Sequence, residues 1–279
     1  MGGFQYREAG APIGLEEAVE CVWFLAAERS GQMRGQRVLP DGFLEIVFHL
    51  ADPCQRFSGG RYQVQPRALL VGPMTQHATI RPMGRVDMVG IRLKPAGAAA
   101  LLDVPLDKVR DRTLAAEDLK GAFPGALLER LGNEPAQEGR LKLMEQALLR
   151  ACTMEKVDTR TSALCHQIRL HAGGLSVERM TQLSGLSART LERLFKTQVG
   201  LPPKLFCRIL RLQAVIRSAA SHSPSSLRDA ALDAGYYDQA HFLKDFKSFA
   251  GVPPGTFFGL EENRLSQALC PPMAAHKGP

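Results

Sequence analysis

The sequence holds no close pair of cysteines. Cys21, Cys54, Cys152, Cys165, Cys207 and Cys270 are scattered along 279 residues, and that spacing excludes the zinc frameworks and secreted disulfide scaffolds that need thiols in pairs. Small, buried, reduced cysteines in a cytoplasm are the expectation. Long hydrophobic runs are missing as well: nowhere do about 18 apolar residues follow one another. The opening Met1-Gly2-Gly3-Phe4-Gln5 has no basic stretch ahead of an apolar one, so neither a membrane span nor an export signal is expected. A nucleophile elbow and a phosphate-cradling glycine loop are absent too. The chain is therefore read as no enzyme, with no catalytic residue and no cofactor.

What is there is charge in one place. The net charge is +7, yet residues 1–159 hold 20 Lys and Arg against 20 Asp and Glu, whereas residues 160–260 hold 13 against 6. A basic balance confined to one segment is the footprint of a polyanion-binding module, because phosphate neutralisation and counterion release drive such binding. The length suits two domains, each with its own core.

Between Val38 and Leu93 the pattern favours strands. Leu44, Ile46, Phe48 and Leu50 alternate with Glu45, Val47 and His49, which puts one apolar face on a core. Further short runs at 68–71, 78–80 and 86–93 are punctuated by Gly72-Pro73, Arg81-Pro82 and Gly84, as antiparallel strands joined by turns require. Beyond Lys94-Pro95 the stretches 96–102, 122–131 and 138–155 carry helical apolar spacing. The expected fold is thus α+β: a β-rich, barrel-like domain over 1–95, a helical connector over 96–159, an all-α domain over 160–260, and a disordered tail over 261–279.

The most informative feature is an internal repeat. Phe195-Lys196-x-x-x-Gly200-x-Pro202-Pro203-x-x-Phe206 recurs as Phe246-Lys247-x-x-x-Gly251-x-Pro253-Pro254-x-x-Phe257, a constant offset of 51 residues. Each copy reads as helix, tight turn, helix. In the first, Ser176 caps a helix with Val177, Met180 and Leu183 inward, Gly185 turns the chain, and Ser187 caps a second helix. That second helix turns Leu191, Leu194 and Phe195 inward and leaves Arg189, Glu192, Arg193 and Lys196 outward. In the second copy Leu227, Ala230, Ala231 and Ala234 face inward, Gly235 turns, and Asp238 caps a helix with Phe242, Phe246 and Phe249 inward. Gln239, His241, Lys244 and Lys247 remain outside. Leu205, Ile209, Leu212, Ile216 and Ala219 mark one amphipathic helix between the copies. At ~1.5 Å per residue it is roughly 27 Å long, enough with the flanking units to hold two reading helices about one DNA turn, ~34 Å, apart.

On the run Gly235-Tyr236-Tyr237-Asp238-Gln239-Ala240-His241-Phe242, then Phe246-Lys247 and Gly251-Val252-Pro253-Pro254, residues 176–257 resemble the DNA-binding domain of the AraC/XylS family of transcription regulators. The resemblance implies base-facing Arg189, Glu192 and Arg193 in the first reading helix and Gln239, Ala240, His241 and Lys244 in the second. The chemistry agrees: Arg forks to guanine O6 and N7, Gln to adenine, and Glu accepts from cytosine N4. Ala240 can offer only a methyl contact. Lys196, Arg208, Arg211 and Lys247 are better placed for phosphates. The implied protein is an activator in the cytoplasm, working on promoter DNA with RNA polymerase.

The runs 38–48 and 90–97 resemble, less specifically, one uncharacterised subgroup of the cupin-like sensory domains attached to that family. This implies a fold, a small-molecule effector or self-association as a homodimer, and no membrane partner. Asp41-Gly42 is read as a tight turn. Barrels of this kind can hold a metal on histidines and a carboxylate, and Glu45, His49 and His77 are the nearby candidates. No His-x-His pair accompanies them, and no metal site is expected. Two rival readings are a metal-dependent enzyme anchored to DNA and a DNA-repair adaptor with a reactive cysteine.

Overall fold

The computed structural model describes residues 4–28, 35–116, 126–221 and 227–259; the expected disordered tail lies outside them. Ten strands come first: β1 (Gln5–Gly10), β2 (Val19–Ala27), β3 (Gln36–Val38), β4 (Leu44–His49), β5 (Cys54–Ser58), β6 (Arg61–Val64), β7 (Ala68–Val71), β8 (Ala78–Pro82), β9 (Val86–Leu93) and β10 (Thr113–Ala115). They form a six-stranded sheet ordered β1-β2-β9-β4-β7-β10 and a four-stranded sheet ordered β3-β8-β5-β6. The pairings within both sheets are antiparallel. Two strands precede the expected strand region. β2 is buried almost throughout, so its sequence carries no period-2 alternation to announce it. β10 lies in the segment assigned to the connector, yet it pairs with β7, so the sheet continues past residue 95.

The alternation in β4 divides the fold. Leu44, Ile46 and Phe48 enter a core with Val89 and Ile91 of β9. Outside that face lie 3-10 turns at Gly97–Ala100 and Leu106–Lys108 and two helices, α1 (Ala126–Asn133) and α2 (Gln137–Ala151). Leu127, Leu131, Met144 and Leu148 of these helices complete the core. Arg140 of α2 grips Asp87 of β9 with two hydrogen bonds of 2.9 and 3.2 Å. The other face of β4, with Glu45, Val47 and His49, looks into a cavity between the two sheets, shared with Trp23, Leu69 and Met88. Gly90 makes room for the indole there: a Cβ on it would fall 2.0 Å from Trp23 Cε2.

Among the described residues seven helices follow: α3 (Thr159–Leu170), α4 (Val177–Ser184), α5 (Ala188–Gln198), α6 (Pro203–Ser221), α7 (Leu227–Asp233), α8 (Gln239–Ala250) and α9 (Pro254–Gly259). Their apolar faces share one core, which includes Leu191, Phe195, Phe206, Leu212, Phe242, Phe246 and Phe257. Leu39, from the N-terminal domain, belongs to the same core. Among the described residues no helix is long and apolar enough to cross a membrane.

Polar contacts join the domains. Arg169 of α3 holds Glu20 of β2 through two bonds of 2.8 and 2.6 Å. Burial opposes ionisation of Glu20, but the Arg169 contacts outweigh it and keep the carboxyl below its ordinary value. Ser162 donates to Glu17 at 2.8 Å, and Gln213 of α6 donates to the Pro40 carbonyl at 2.6 Å. The Asp41-Gly42 turn is indeed tight, with φ +84° at Gly42. It is also a docking surface: a Cβ on Gly42 would lie 2.7 Å from the Phe206 ring.

His49 is 2% exposed, and neither ring nitrogen has a hydrogen-bond partner. Burial, with the charge of Arg67 beyond it, pushes the imidazole from its ordinary 6.5 down to about 4. The unfolded chain therefore takes up this proton at higher pH than the fold does, and stability falls as pH drops from 6.5 towards 4. Between pH 7.5 and 5 the wild-type protein should lose about 2 kcal/mol more unfolding free energy than His49→Gln. Urea midpoints at the two pH values measure the difference, and parallel profiles would contradict the assignment.

Candidate nucleic-acid interface

The first bihelical unit is built by its caps. Ser176 Oγ accepts from the Arg179 amide at 3.1 Å to start α4, Gly185 turns the chain at φ +67°, and Ser187 Oγ accepts from the Thr190 amide at 3.2 Å to start α5. In the second unit Gly235 turns at φ +84°, and Asp238 Oδ1 accepts from the His241 amide at 2.7 Å to start α8. These caps satisfy amides that a helix cannot satisfy internally. The inward faces follow the sequence reading with one exception: Leu183 is 45% exposed, because the short α4 ends at Ser184 and buries Met180 alone. Edge-on contacts link Tyr236 to Phe242, Phe242 to Phe246 and Phe246 to Phe257 at centroid distances of 5.3, 5.6 and 5.4 Å.

The outward faces separate the expected contacts into two groups. Arg189, Arg193 and Lys196 on α5 are exposed and Glu192 is half-buried; Gln239, Ala240, Lys244 and Lys247 on α8 are exposed. His241 is half-buried, edge-on to Tyr236 at 5.1 Å, with Nε2 4.0 Å from Asp245 Oδ2. Arg208 departs from its expected phosphate role. Its guanidinium crosses from α6 to α8 and forks onto Asp245 at 3.1 and 2.7 Å, stacked over Phe249 at 5.1 Å. Arg211 Nε donates to the Gly173 carbonyl at 3.2 Å, which leaves only part of its fork outward. Sequence reasoning passed over Tyr237, which is 88% exposed immediately before the Asp238 cap. The available signal was an aromatic in a turn beside a helix start, where chemistry for backbone or base contacts concentrates.

The N-terminal domain meets the far ends of these helices, not their beginnings. After α5, Gly200 stands at φ +79°, and a Cβ on it would lie 2.7 Å from Pro73 and 2.9 Å from the Leu106 carbonyl oxygen. One repeat later, Gly251 stands at φ +74° after α8, and a Cβ would lie 2.5 Å from the His77 ring. The His77 amide donates to the Phe249 carbonyl at 2.8 Å. Residues 72–77, the loop between β7 and β8, thus touch both units at once. Asp111 braces that loop, accepting from the Thr75 amide at 2.6 Å and the Thr75 hydroxyl at 2.7 Å.

Residues 180–259 match the family described as a helix-turn-helix domain. The chain's C-terminal domain is thus a helix-turn-helix domain of the AraC type. Residues 8–115 match a domain of unknown function, DUF6597. An uncharacterized HTH-type transcriptional regulator of Haemophilus influenzae is 23% identical over 198 residues, 71% of this chain and 60% of that protein. The HTH-type transcriptional regulator MtrA of Neisseria gonorrhoeae is 34% identical over 84 residues, 29% of this chain and 27% of that protein. The chain therefore spans less than two thirds of the length of either relative. The structure of ToxT from Vibrio cholerae superposes with a TM-score of 0.46 at 9% identity, covering 93% of this chain and 99% of that one.

The residues weighed for other chemistry do not converge. Glu45 is bound to Arg92 at 3.0 Å, His49 faces Met88 four residues further along the ladder, and His77 lies on the loop against Gly251. Among the described residues no three His, Cys, Asp or Glu side chains could hold a metal together. Burial pushes the thiols of Cys152 and Cys207 up to about 11 and that of Cys54 to about 12. Cys21 and Cys165 are raised further by the same cause. None of these five is a ready thiolate nucleophile.

The Arg208–Asp245 fork gives a test of architecture. Asp245 is 7% exposed on its side chain and Arg208 39%, so removing the arginine strands a buried carboxylate. Arg208→Ala should cost about 2–3 kcal/mol of unfolding free energy, and adding Asp245→Leu should recover most of it. Thermal melts of the single and double variants decide, and a loss below ~0.5 kcal/mol would leave the fork no bracing role.

Proposed function

We propose that the protein is a sequence-specific DNA-binding transcription regulator, acting by binding and not by catalysis. The observation that carries this reading is the pair of capped, phased bihelical units. The first two turns of α5 and α8 expose Arg189, Arg193, Gln239 and Lys244, while their apolar sides close on one core. α6 has 19 residues, so it is about 28 Å long at ~1.5 Å per residue. That length suits two reading helices placed in successive major grooves of one duplex.

Within this reading Arg189, Glu192 and Arg193 face bases in one groove, and Gln239, His241 and Lys244 face bases in the next, with Ala240 limited to a methyl contact. Lys196, Lys247 and the outer edge of Arg211 meet phosphates, and Arg208 braces α8. Tyr237 joins the contact surface beside the second cap. The N-terminal domain supplies control, by an effector or by a second copy of the chain. Activation through RNA polymerase, in the cytoplasm where promoter DNA lies, is what the family resemblance suggests for the outcome.

Base and phosphate contacts differ in what their loss does. Arg193→Ala should weaken operator binding by about 1–3 kcal/mol and relax preference at one or two base pairs. Lys247→Ala should lower affinity for operator and random DNA alike and reduce the salt slope by about 1. Gel-shift titrations on operator and scrambled duplexes at several salt concentrations separate the two, and equal effects of Arg193→Ala on both duplexes would remove its base-reading role.

A further inference from the structure

The cavity between the two sheets combines three properties that together describe a ligand. It measures about 120 Å³, of the order of the ~150 Å³ apolar cavity that accommodates benzene, so it suits an occupant of single-ring size. Its walls are mostly apolar, with Trp23, Val47, Leu69 and Met88 prominent. Its unpaired polar atoms are neutral donors and acceptors: Trp23 Nε1 and both ring nitrogens of His49 have no hydrogen-bond partner, at 4% and 2% exposure. Buried polar atoms in folded proteins are almost always paired.

The charged groups around the cavity, by contrast, are matched to one another. Arg92 is 5% exposed on its side chain and lies 3.0 Å from both Glu8 and Glu45, with Asp41 at 4.0 Å. Asp41 also accepts from the Phe43 amide at 3.0 Å. Arg56 crosses the seam between the sheets to Thr113 Oγ1. An anionic ligand meets three carboxylates around one guanidinium, and a cationic ligand finds those carboxylates engaged by Arg92. Burial also keeps His49 uncharged at neutral pH.

We propose that this cavity is the effector site and that its ligand is a neutral, single-ring-sized molecule with a group that both gives and takes hydrogen bonds, bonded to His49 and Trp23 Nε1. The site has a direct mechanical link to the DNA-binding domain. Met74 lines the cavity and sits in the 72–77 loop, whose Pro73 abuts Gly200 and whose His77 abuts Gly251. Gln213 of α6 also lines the cavity. A ligand that favours one position of Met74 therefore biases both helix-turn-helix units together. The effect on DNA rests on the regulator reading; ligand binding does not.

Trp23 is the one tryptophan of the chain, so its fluorescence reports on the cavity directly. The full chain is titrated with phenol, benzoate and benzylammonium at neutral pH, with calorimetry in parallel. Phenol should change Trp23 emission saturably and bind at least tenfold more tightly than either ion. His49→Phe should weaken phenol at least tenfold, and calorimetry on Trp23→Phe, which keeps a ring but lacks the N–H, should show a loss in the same direction. Tighter binding of benzoate or benzylammonium overturns the ligand class. No saturable binding by folded wild-type protein, or unchanged phenol affinity in both variants, overturns the site. Operator affinity is then measured with and without saturating phenol: a shift supports the link through residues 72–77, and none overturns it. A chain that binds phenol but no DNA would retain the site and end the regulator reading.

Discussion

Gly200 and Gly251 have no room for a side chain, and the relation between the two domains depends on that. Both stand in the left-handed region, where an L side chain costs about 1–2 kcal/mol. Each also has N-terminal-domain atoms within 3 Å of where a Cβ would be. The same repeat position is thus used twice for the same purpose, to end a reading helix and to receive the other domain. Because one six-residue loop reaches both sites, the two units are referenced to one object as well as to α6.

The charges obey a comparable division. The excess of Lys and Arg over residues 160–260 is not all available to a polyanion. Arg169 is committed to Glu20 across the domain boundary, and Arg208 to Asp245 within the helical domain. The outward faces of α5 and α8 expose Arg189, Arg193, Lys196, Lys244 and Lys247, and further exposed cations stand at Arg160, Arg179, Lys204 and Arg228. Paired cations fix the scaffold, and exposed ones remain open to solvent. A raw count of charge could not distinguish the two kinds.

The helical domain was legible because its information is local and repeated. Caps at Ser176, Ser187 and Asp238 and the 51-residue offset of Phe195 and Phe246 need only short-range periodicity to be read. Glu45 and His49 were correctly placed on one face of β4, since strand alternation guarantees it. β2 was invisible for the opposite reason: a strand packed on both sides loses the alternation that reveals a strand. The partners of Arg208 and Arg169 lie 37 and 149 positions away, and no local pattern signals such pairs. The Trp23 pocket likewise depends on Gly90, a residue 67 positions away by the numbering and opposite it only through the β2–β9 ladder.

The domain interface is composed so that it can be biased without being broken. Its hydrogen bonds and ion pair gather at three places: Glu17 and Glu20 on α3, Pro40 on α6, and His77 at the end of α8. Interfaces with several separate polar attachments can exchange one arrangement for another at modest free-energy cost, whereas a packed apolar core moves only between discrete states. The Leu39–Phe206 contact region supplies the apolar anchor, since Leu39 is counted in the helical core and Gly42 lies against Phe206. The anchor sits in the first turn of α6, and the loop touches the ends of α5 and α8. Under the proposed coupling, a small displacement of that loop would act on α5 and α8 together, the route by which a cavity of about 120 Å³ would influence contacts on DNA.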